Sequence, residues 1–147
     1  MPAGRKGDDL PERVGRALEP LDEVRVAYVF GSRAGGRARA DSDLDVAVRL
    51  DPALDDLERG RAKLRIVAAL TDALGAMGER TDVVDLDRAS SSVAFRAIRD
   101  GRRVLEREAR ERVRLEAWIA RRYDDDAPKR AIFRRAARAA AERMAGG

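Results

Sequence analysis

The fold prediction rests on FGSRAGGRARADSDLDVAV, residues 30–48. The preceding VRVAYVF (Val24–Phe30) is rich in β-branched and aromatic residues and ends at Gly31, which predicts a strand. At the other end DLDVAVRL, residues 43–50, alternates polar and apolar residues and predicts a second strand. The glycine-rich connection between them has room for one helical turn after Ser32.

The rest of the chain predicts helices that pack on a few strands. Helices are expected at about residues 10–18, 54–74, 91–100, 107–123 and 128–144, and strands at about 81–86 and 102–106. Ser90 or Ser91 is expected to cap the third helix, and Gly101 to end it. The pattern indicates an α/β domain in residues 1–105 followed by a helical arm in residues 106–147.

Two residue types are absent, and this limits the chemistry of the chain. Its 147 residues include no His and no Cys. Imidazole bases, Ser-His-Asp triads, thiolate nucleophiles, disulfides and His- or Cys-ligated zinc are therefore excluded. Catalysis would use carboxylates, hydroxyls, Arg, Lys, Tyr or backbone groups, together with a hard metal ion bound through oxygen.

Asp43 and Asp45 form the first candidate metal-binding pair. Side chains at i and i+2 project from one face of a strand, so these two carboxylates point the same way. Adjacent carboxylates repel each other, and each raises the proton affinity of the other. A divalent cation would neutralise them, and oxygen-only ligation favours Mg²⁺ or Mn²⁺.

Gly31 and Ser32 form a candidate phosphate-binding turn. Glycine lets the backbone approach a ligand closely, and N–H groups at the start of a helical turn bind anions. The Ser32 hydroxyl adds a hydrogen-bond donor for a phosphate oxygen. A phosphate cradle facing a metal-binding carboxylate pair is typical of phosphoryl or nucleotidyl transfer.

The charge is distributed unevenly along the chain. Residues 1–87 carry 14 basic and 18 acidic side chains, whereas residues 88–147 carry 17 basic and 9 acidic ones. Of the 31 basic residues 28 are Arg, which fits codon bias in a GC-rich genome as well as phosphate recognition. Arg alternates with Glu in EREARERVRLE, which favours ion-paired helix faces over nucleic-acid binding. We therefore interpret the helical arm of residues 106–147, which lies in the basic half of the chain, as a candidate surface for an acidic partner protein.

The last predicted helix carries an apolar stripe. Its members are Ile132, Phe133, Ala136, Ala137, Ala140 and Met144. Two interpretations stay open: the stripe packs on its own domain, or it helps to form a groove for a partner or an oligomer.

Hydropathy predicts a cytoplasmic protein. The sequence contains no run of 18 apolar residues, so no transmembrane helix is expected. The N-terminal MPAGRKGDDL has a basic pair without an apolar stretch behind it, so no secretion signal is expected either.

The motif between Gly31 and Asp45 resembles that of the polymerase-β-like nucleotidyltransferase superfamily. Gly-Ser is followed after ten residues by Asp-x-Asp, and a third Asp lies on a later strand. The chain is specifically similar to the MntA adenylyltransferase antitoxins of MntA/HepT toxin–antitoxin systems. This similarity continues through TDVVDLDRASSSVAFRAIRDGRRVLERE and RLEAWIARRYDDDAPKRAIFRRAA and covers roughly residues 12–145. It implies a small mixed sheet packed by helices.

The resemblance implies a role for each residue of the motif. Gly31 and Ser32 match the positions that hold the triphosphate. Asp43 and Asp45 match the pair that ligates two Mg²⁺ ions. The third carboxylate matches Asp82, which in the family binds one metal ion and helps to deprotonate the attacking hydroxyl.

Two assignments have alternatives. Asp85 and Asp87 lie on the same segment as Asp82, and a period of two places Asp85 on the opposite face of the strand from Asp82. Asp82 is preferred because the third Asp of the family precedes an apolar Val-Val pair. Arg33, like Arg37 and Arg39, lies in the loop beside the expected phosphates, where it either steadies the triphosphate or forms part of a solvated basic loop.

The implied function is an enzyme that transfers AMP from ATP to a hydroxyl and releases pyrophosphate. By resemblance, the acceptor is a Tyr of a HepT-type ribonuclease toxin, which forms a hetero-oligomer with its antitoxin and is silenced by the modification. One alternative keeps the chemistry but uses a small molecule or RNA as acceptor. Another is a non-catalytic module that masks the toxin; the three carboxylates disfavour it, because a pure binding module would not need them.

Overall fold

A computed structural model of the chain describes residues 9–31 and 43–146. The helices in these ranges are α1 (Leu10–Leu18), α2 (Asp56–Leu74), α3 (Ala76–Glu79), α4 (Ser91–Asp100), α5 (Ala109–Asp125) and α6 (Ala127–Gly146). The strands are β1 (Val24–Phe30), β2 (Leu44–Leu50), β3 (Thr81–Asp85) and β4 (Arg102–Glu106). In the described ranges, no helix has both the length and the apolar character that a membrane span requires.

Most of the predicted elements are present, and their ends follow from local capping. Asp55 caps α2 by accepting a hydrogen bond from the Glu58 N–H at 2.8 Å, so that helix begins slightly later than predicted. Ser90, rather than Ser91, caps α4 by accepting from the Val93 N–H at 3.3 Å. The short helix α3 was not predicted, because four residues are too few to show a helical period.

The two C-terminal helices are separated by a single residue rather than by the predicted four-residue connection. The Asp126 N–H donates to the Arg122 carbonyl, and the Asp126 carbonyl accepts from Arg130, so helical hydrogen bonding continues on both sides. The Asp126 carboxylate also accepts a hydrogen bond from the Ser91 hydroxyl at 2.5 Å. This bond ties the α5–α6 junction to the start of α4.

The four strands form one mixed sheet in the order β3-β2-β1-β4. β1 runs antiparallel to both β2 and β4, whereas β2 and β3 are parallel. The predicted small mixed sheet is therefore confirmed, and β4 lies at one edge of it.

Alternate residues of the strands contribute to two hydrophobic clusters, one on each face of the sheet. Val46 and Val48 face α1 and α2, where Ile66 is also fully buried. Ala47 faces the other side, where α4 and α5 pack and where Ile119 is fully buried. The first helix of the predicted C-terminal arm thus packs on the sheet, and the division at residue 105 stays a prediction.

Helix α6 buries none of its residues. Ile132, Phe133 and Met144 are 62%, 75% and 83% exposed. Its first turn is fastened to α5 because Arg130 donates to the Tyr123 carbonyl at 2.5 Å and lies 3.5 Å from the centroid of the Tyr123 ring. Of the two interpretations of the apolar stripe, packing on the chain's own domain is therefore wrong for the described residues.

Candidate active site

The sheet register brings Asp45 and Asp82 together. Asp45 on β2 pairs with Phe30 of β1 on one side and with Asp82 of β3 on the other. Paired residues of parallel strands project from the same face, so the two carboxylates lie side by side on the face that α4 covers.

Asp43 lies immediately before β2, two residues from Asp45. Its side chain is 70% exposed, and one carboxylate oxygen lies 3.9 Å from Nε of Arg80. The structure therefore places Asp43 at the rim of the site, where it is accessible to solvent.

Asp82 and Asp85 occupy different environments. Asp82 is exposed, whereas the side chain of Asp85 is 3% exposed and forms an ion pair with Arg59 at 2.9 Å. Asp85 pairs in register with Val48, on the face opposite to Asp45. The structure thus brings Asp82, and not Asp85, beside Asp45, while the role of Asp82 stays a prediction.

The carboxylates at this edge of the sheet repel one another. Burial raises the pKa of Asp45, and the charges of Asp82 and Asp43 raise it further. The positive charge of Arg96 opposes this shift in the pKa of Asp45 only in part. A cation bound between these carboxylates would therefore offset both their mutual repulsion and the cost of burying the charge of Asp45.

The donor set has the chemistry that a magnesium ion requires. Asp43, Asp45 and Asp82 offer only carboxylate oxygens, which hard divalent cations prefer. In residues 9–31 and 43–146, no three acidic side chains already converge closely enough to enclose an ion.

The burial of Asp45 and its repulsion by Asp82 and Asp43 predict that Asp45→Asn stabilises the metal-free protein. A raised pKa means that ionised Asp45 destabilises the fold at neutral pH, whereas protonated Asp45 does not. We expect Asp45→Asn to raise the melting temperature near pH 7 in the presence of EDTA. The difference in melting temperature between the variant and the wild type should shrink near pH 3, where Asp45 is protonated in both folded and unfolded chains. A lower melting temperature for the variant at neutral pH would contradict the repulsion.

Gly31 directly follows β1 and lies against Asp45. Its φ is +75°, in the left-handed region that favours glycine. A Cβ atom added here would lie 2.3 Å from Oδ2 of Asp45. Of the other residues predicted for phosphate binding, Ser32 and Arg33 lie outside the described residues, as do Arg37 and Arg39.

Gly31→Ala is therefore expected to impair both stability and activity. The left-handed backbone should cost about 1–2 kcal/mol for any residue with a Cβ, and the new methyl group must displace the Asp45 carboxylate. Urea unfolding measures the first effect, and an assay of the nucleotidyl transfer that the sequence resemblance implies measures the second. Gly60→Ala is the matched control, since Gly60 is a helical residue with nothing within 4 Å of an added Cβ. It should stabilise the protein by up to about 1 kcal/mol and leave activity unchanged.

A cleft of about 400 Å³ opens beside the paired carboxylates. Its polar lining consists of Asp45, Lys63, Asp82, Asp85, Arg88, Ser90 and Arg96. Lys63, Arg88 and Arg96 were not predicted, because three basic residues among 31 carry no distinguishing signal in the sequence. Ser90 was predicted only as a helix cap.

The match to a family of known proteins agrees with this geometry. The model of the polymerase beta nucleotidyltransferase family matches residues 12–110, which is more than half of the chain. The chain belongs to this nucleotidyltransferase family. A search of curated proteins found no significant match to the sequence.

Several solved structures share the fold of this nucleotidyltransferase. A chain of a toxin–antitoxin complex with AMP-PNP is 22% identical, with a TM-score of 0.65, and the match covers 86% of this chain and 98% of that one. A chain of the MntA-HepT toxin–antitoxin complex is 20% identical, with a TM-score of 0.59 and coverage of 86% and 95%. A chain of the complex between a tri-AMPylated HEPN toxin and the MNT antitoxin of Shewanella oneidensis is 21% identical, with a TM-score of 0.58 and coverage of 84% and 95%. At these identities the likeness shows the fold.

Proposed function

We propose that the chain is an antitoxin that transfers AMP from ATP to a hydroxyl group of a partner toxin. The observation that carries this proposal is the pairing of Asp45 with Asp82 beside the Gly31 turn, in a chain of the nucleotidyltransferase family. Nucleotidyl transfer needs carboxylates for metal ions and a backbone turn for the triphosphate. The arrangement of these residues supports that chemistry.

Asp43, Asp45 and Asp82 would hold Mg²⁺, with Mn²⁺ as a substitute, and two ions are expected. Bound there, the metal would supply charge stabilisation for the attacking oxygen and for the departing pyrophosphate. A cation bound there would offset the burial and the neighbouring carboxylate charges that raise the pKa of Asp45.

The protein's own groups would orient the nucleotide and accept the proton. Gly31 keeps the space beside Asp45 free of a side chain, so that phosphate oxygens can approach the backbone of the turn. Ser32 would donate its hydroxyl to the triphosphate. Asp82, which is exposed at the mouth of the cleft, would take the proton of the attacking hydroxyl.

The expected partner is a HepT-type toxin, with a Tyr hydroxyl as acceptor, and the expected location is the cytoplasm. The similar solved chains come from complexes named as toxin–antitoxin pairs, one of them containing an AMPylated toxin.

Helix α6 presents Phe133 and other apolar side chains to solvent, among basic residues that would suit an acidic protein. A second cleft, of about 600 Å³, lies against α6 and shares Ser90 with the cleft beside Asp45. A partner bound to α6 would therefore lie close to the carboxylates.

Intact-mass analysis of a co-purified HepT-type protein tests the proposal. The partner is incubated with the purified chain, Mg²⁺ and each nucleoside triphosphate in turn. We expect the mass to increase by one or more AMP units with ATP, and not in the presence of EDTA. If the wild-type chain binds ATP and the partner but no mass is gained with any nucleotide, the protein-adenylylation proposal is wrong.

A further inference from the structure

Arg96 has no part in the function proposed above, although it lies at the site. It is an exposed residue of α4 and lines the cleft together with Asp45 and Asp82. Its guanidinium carbon lies 5.8 Å from the centroid of the Phe30 ring. Phe30 is the residue immediately before Gly31, so Arg96 is close to the start of the turn expected to bind phosphate.

Unlike its neighbours, Arg96 has no carboxylate partner within the described part of the chain. Arg88, from the same cleft, forms an ion pair with Asp56 at 3.0 Å, and Arg99, one turn further along α4, forms one with Asp100 at 2.9 Å. Arg96 faces Asp45 closely enough to influence that carboxylate but forms no salt bridge with it. No described residue therefore occupies the hydrogen-bonding groups of Arg96, which face the cleft.

We propose that Arg96 is a phosphate-binding residue for the nucleoside triphosphate. This inference rests on the proposed nucleotidyl transfer. Asp45 and Asp82 repel the polyphosphate, and a protein cation in the same cleft would attract it and favour its entry. A guanidinium offers paired N–H donors that match two phosphate oxygens, and the Phe30 ring holds it near the turn.

Lys63 is the other cation in the cleft without an ion pair among the described residues. It belongs to α2, which packs on the face of the sheet opposite to α4. Arg96 instead lies on the same face as Phe30 and Asp45. The phosphate assignment therefore falls on Arg96.

Equilibrium binding of ATP and of inorganic tripolyphosphate to the full chain with Mg²⁺ tests this assignment. We expect Arg96→Ala to weaken both affinities by roughly ten- to a hundredfold, the effect of losing charge-assisted hydrogen bonds. Arg96→Lys keeps the charge but loses the paired donors, so its affinities for both ligands should lie between those of Arg96→Ala and the wild type. Circular dichroism of both variants establishes that α4 stays folded.

Arg99→Ala is the matched control, because it removes the same side chain from the same helix outside the cleft. It should bind ATP and tripolyphosphate within twofold of the wild type. If Arg96→Ala also binds both ligands within twofold, the assignment of Arg96 is overturned while AMP transfer by the wild type stands. If the wild-type chain binds neither ligand, the assignment and the proposed function are both overturned.

Discussion

Asp45→Asn should reduce AMP transfer to the partner by at least about 10³-fold, as is typical when a group central to catalysis is removed. Asp45 lies between Phe30 and Asp82 in the sheet and against Gly31, so it is central to the proposed site. Asparagine has nearly the same shape but lacks the negative charge that would hold a metal ion. Single-turnover transfer from labelled ATP measures the effect.

Asp45→Asn also distinguishes neutralisation of the toxin by AMP transfer from neutralisation by binding alone. Because the fold and α6 are unaltered by an isosteric change at β2, the variant should still bind the partner with wild-type affinity. Growth of cells that express the toxin together with Asp45→Asn then reports whether binding alone suffices for neutralisation. Complete neutralisation by this variant would support a masking antitoxin and would overturn the catalytic explanation.

Asp124→Asn provides the matched control for the loss of one carboxylate. Asp124 is exposed in the last turn of α5, and it forms no ion pair with any residue in ranges 9–31 and 43–146. We expect this variant to transfer AMP at the wild-type rate. A comparable loss of activity in Asp124→Asn would mean that net charge, rather than the position of Asp45, determines the rate.

Local sequence patterns predicted the parts of the fold and site that depend on neighbours along the chain. The period of two in residues 43–50 places Asp45 on one face and Val46 and Val48 on the other, and the sheet has this arrangement. Gly31 could be identified because its place after a strand, at a fixed distance from Asp-x-Asp, is a local feature.

Features that depend on register between distant segments could not be predicted in the same way. Alternation indicates that Asp82 and Asp85 face opposite sides, but only the pairing of β3 with β2 determines which side Asp45 shares. Arg96 gave no signal because its proximity to Phe30 arises from the packing of α4 on the sheet. For the same reason the spacing of the α6 stripe could not indicate whether the rest of the domain covers it.

The ion pair of Asp85 with Arg59 is another long-range feature, and its loss is expected to have the largest effect on stability. The two side chains are only 3% and 6% exposed. Arg59 also bonds Asp87 at 3.2 Å and donates to the Leu54 carbonyl at 3.0 Å, while Asp87 accepts from Arg49 at 2.7 Å. Asp85 further accepts from the Asp87 N–H at 3.0 Å, which fixes the end of β3.

Arg59→Met should lower the free energy of unfolding by about 3–5 kcal/mol, because it leaves Asp85 buried without its counter-charge. Methionine fills most of the space of the arginine stem. The decrease in the free energy of unfolding therefore results from the removed charge and not from a cavity. Urea denaturation followed by circular dichroism measures the change. Arg65→Met on the same helix is the control: the Arg65 side chain is 49% exposed in its ion pair with Glu23, and its loss should cost less than about 1 kcal/mol.

The double variant Arg59→Met/Asp85→Asn distinguishes two causes of lost stability: a buried charge without its counter-charge, and the loss of packing. Asparagine keeps an oxygen for the Asp87 N–H but has no charge to bury, so the double variant should recover most of the stability that Arg59→Met loses. A double variant no more stable than Arg59→Met would show that the arginine contributes through its packing and its bond to Leu54.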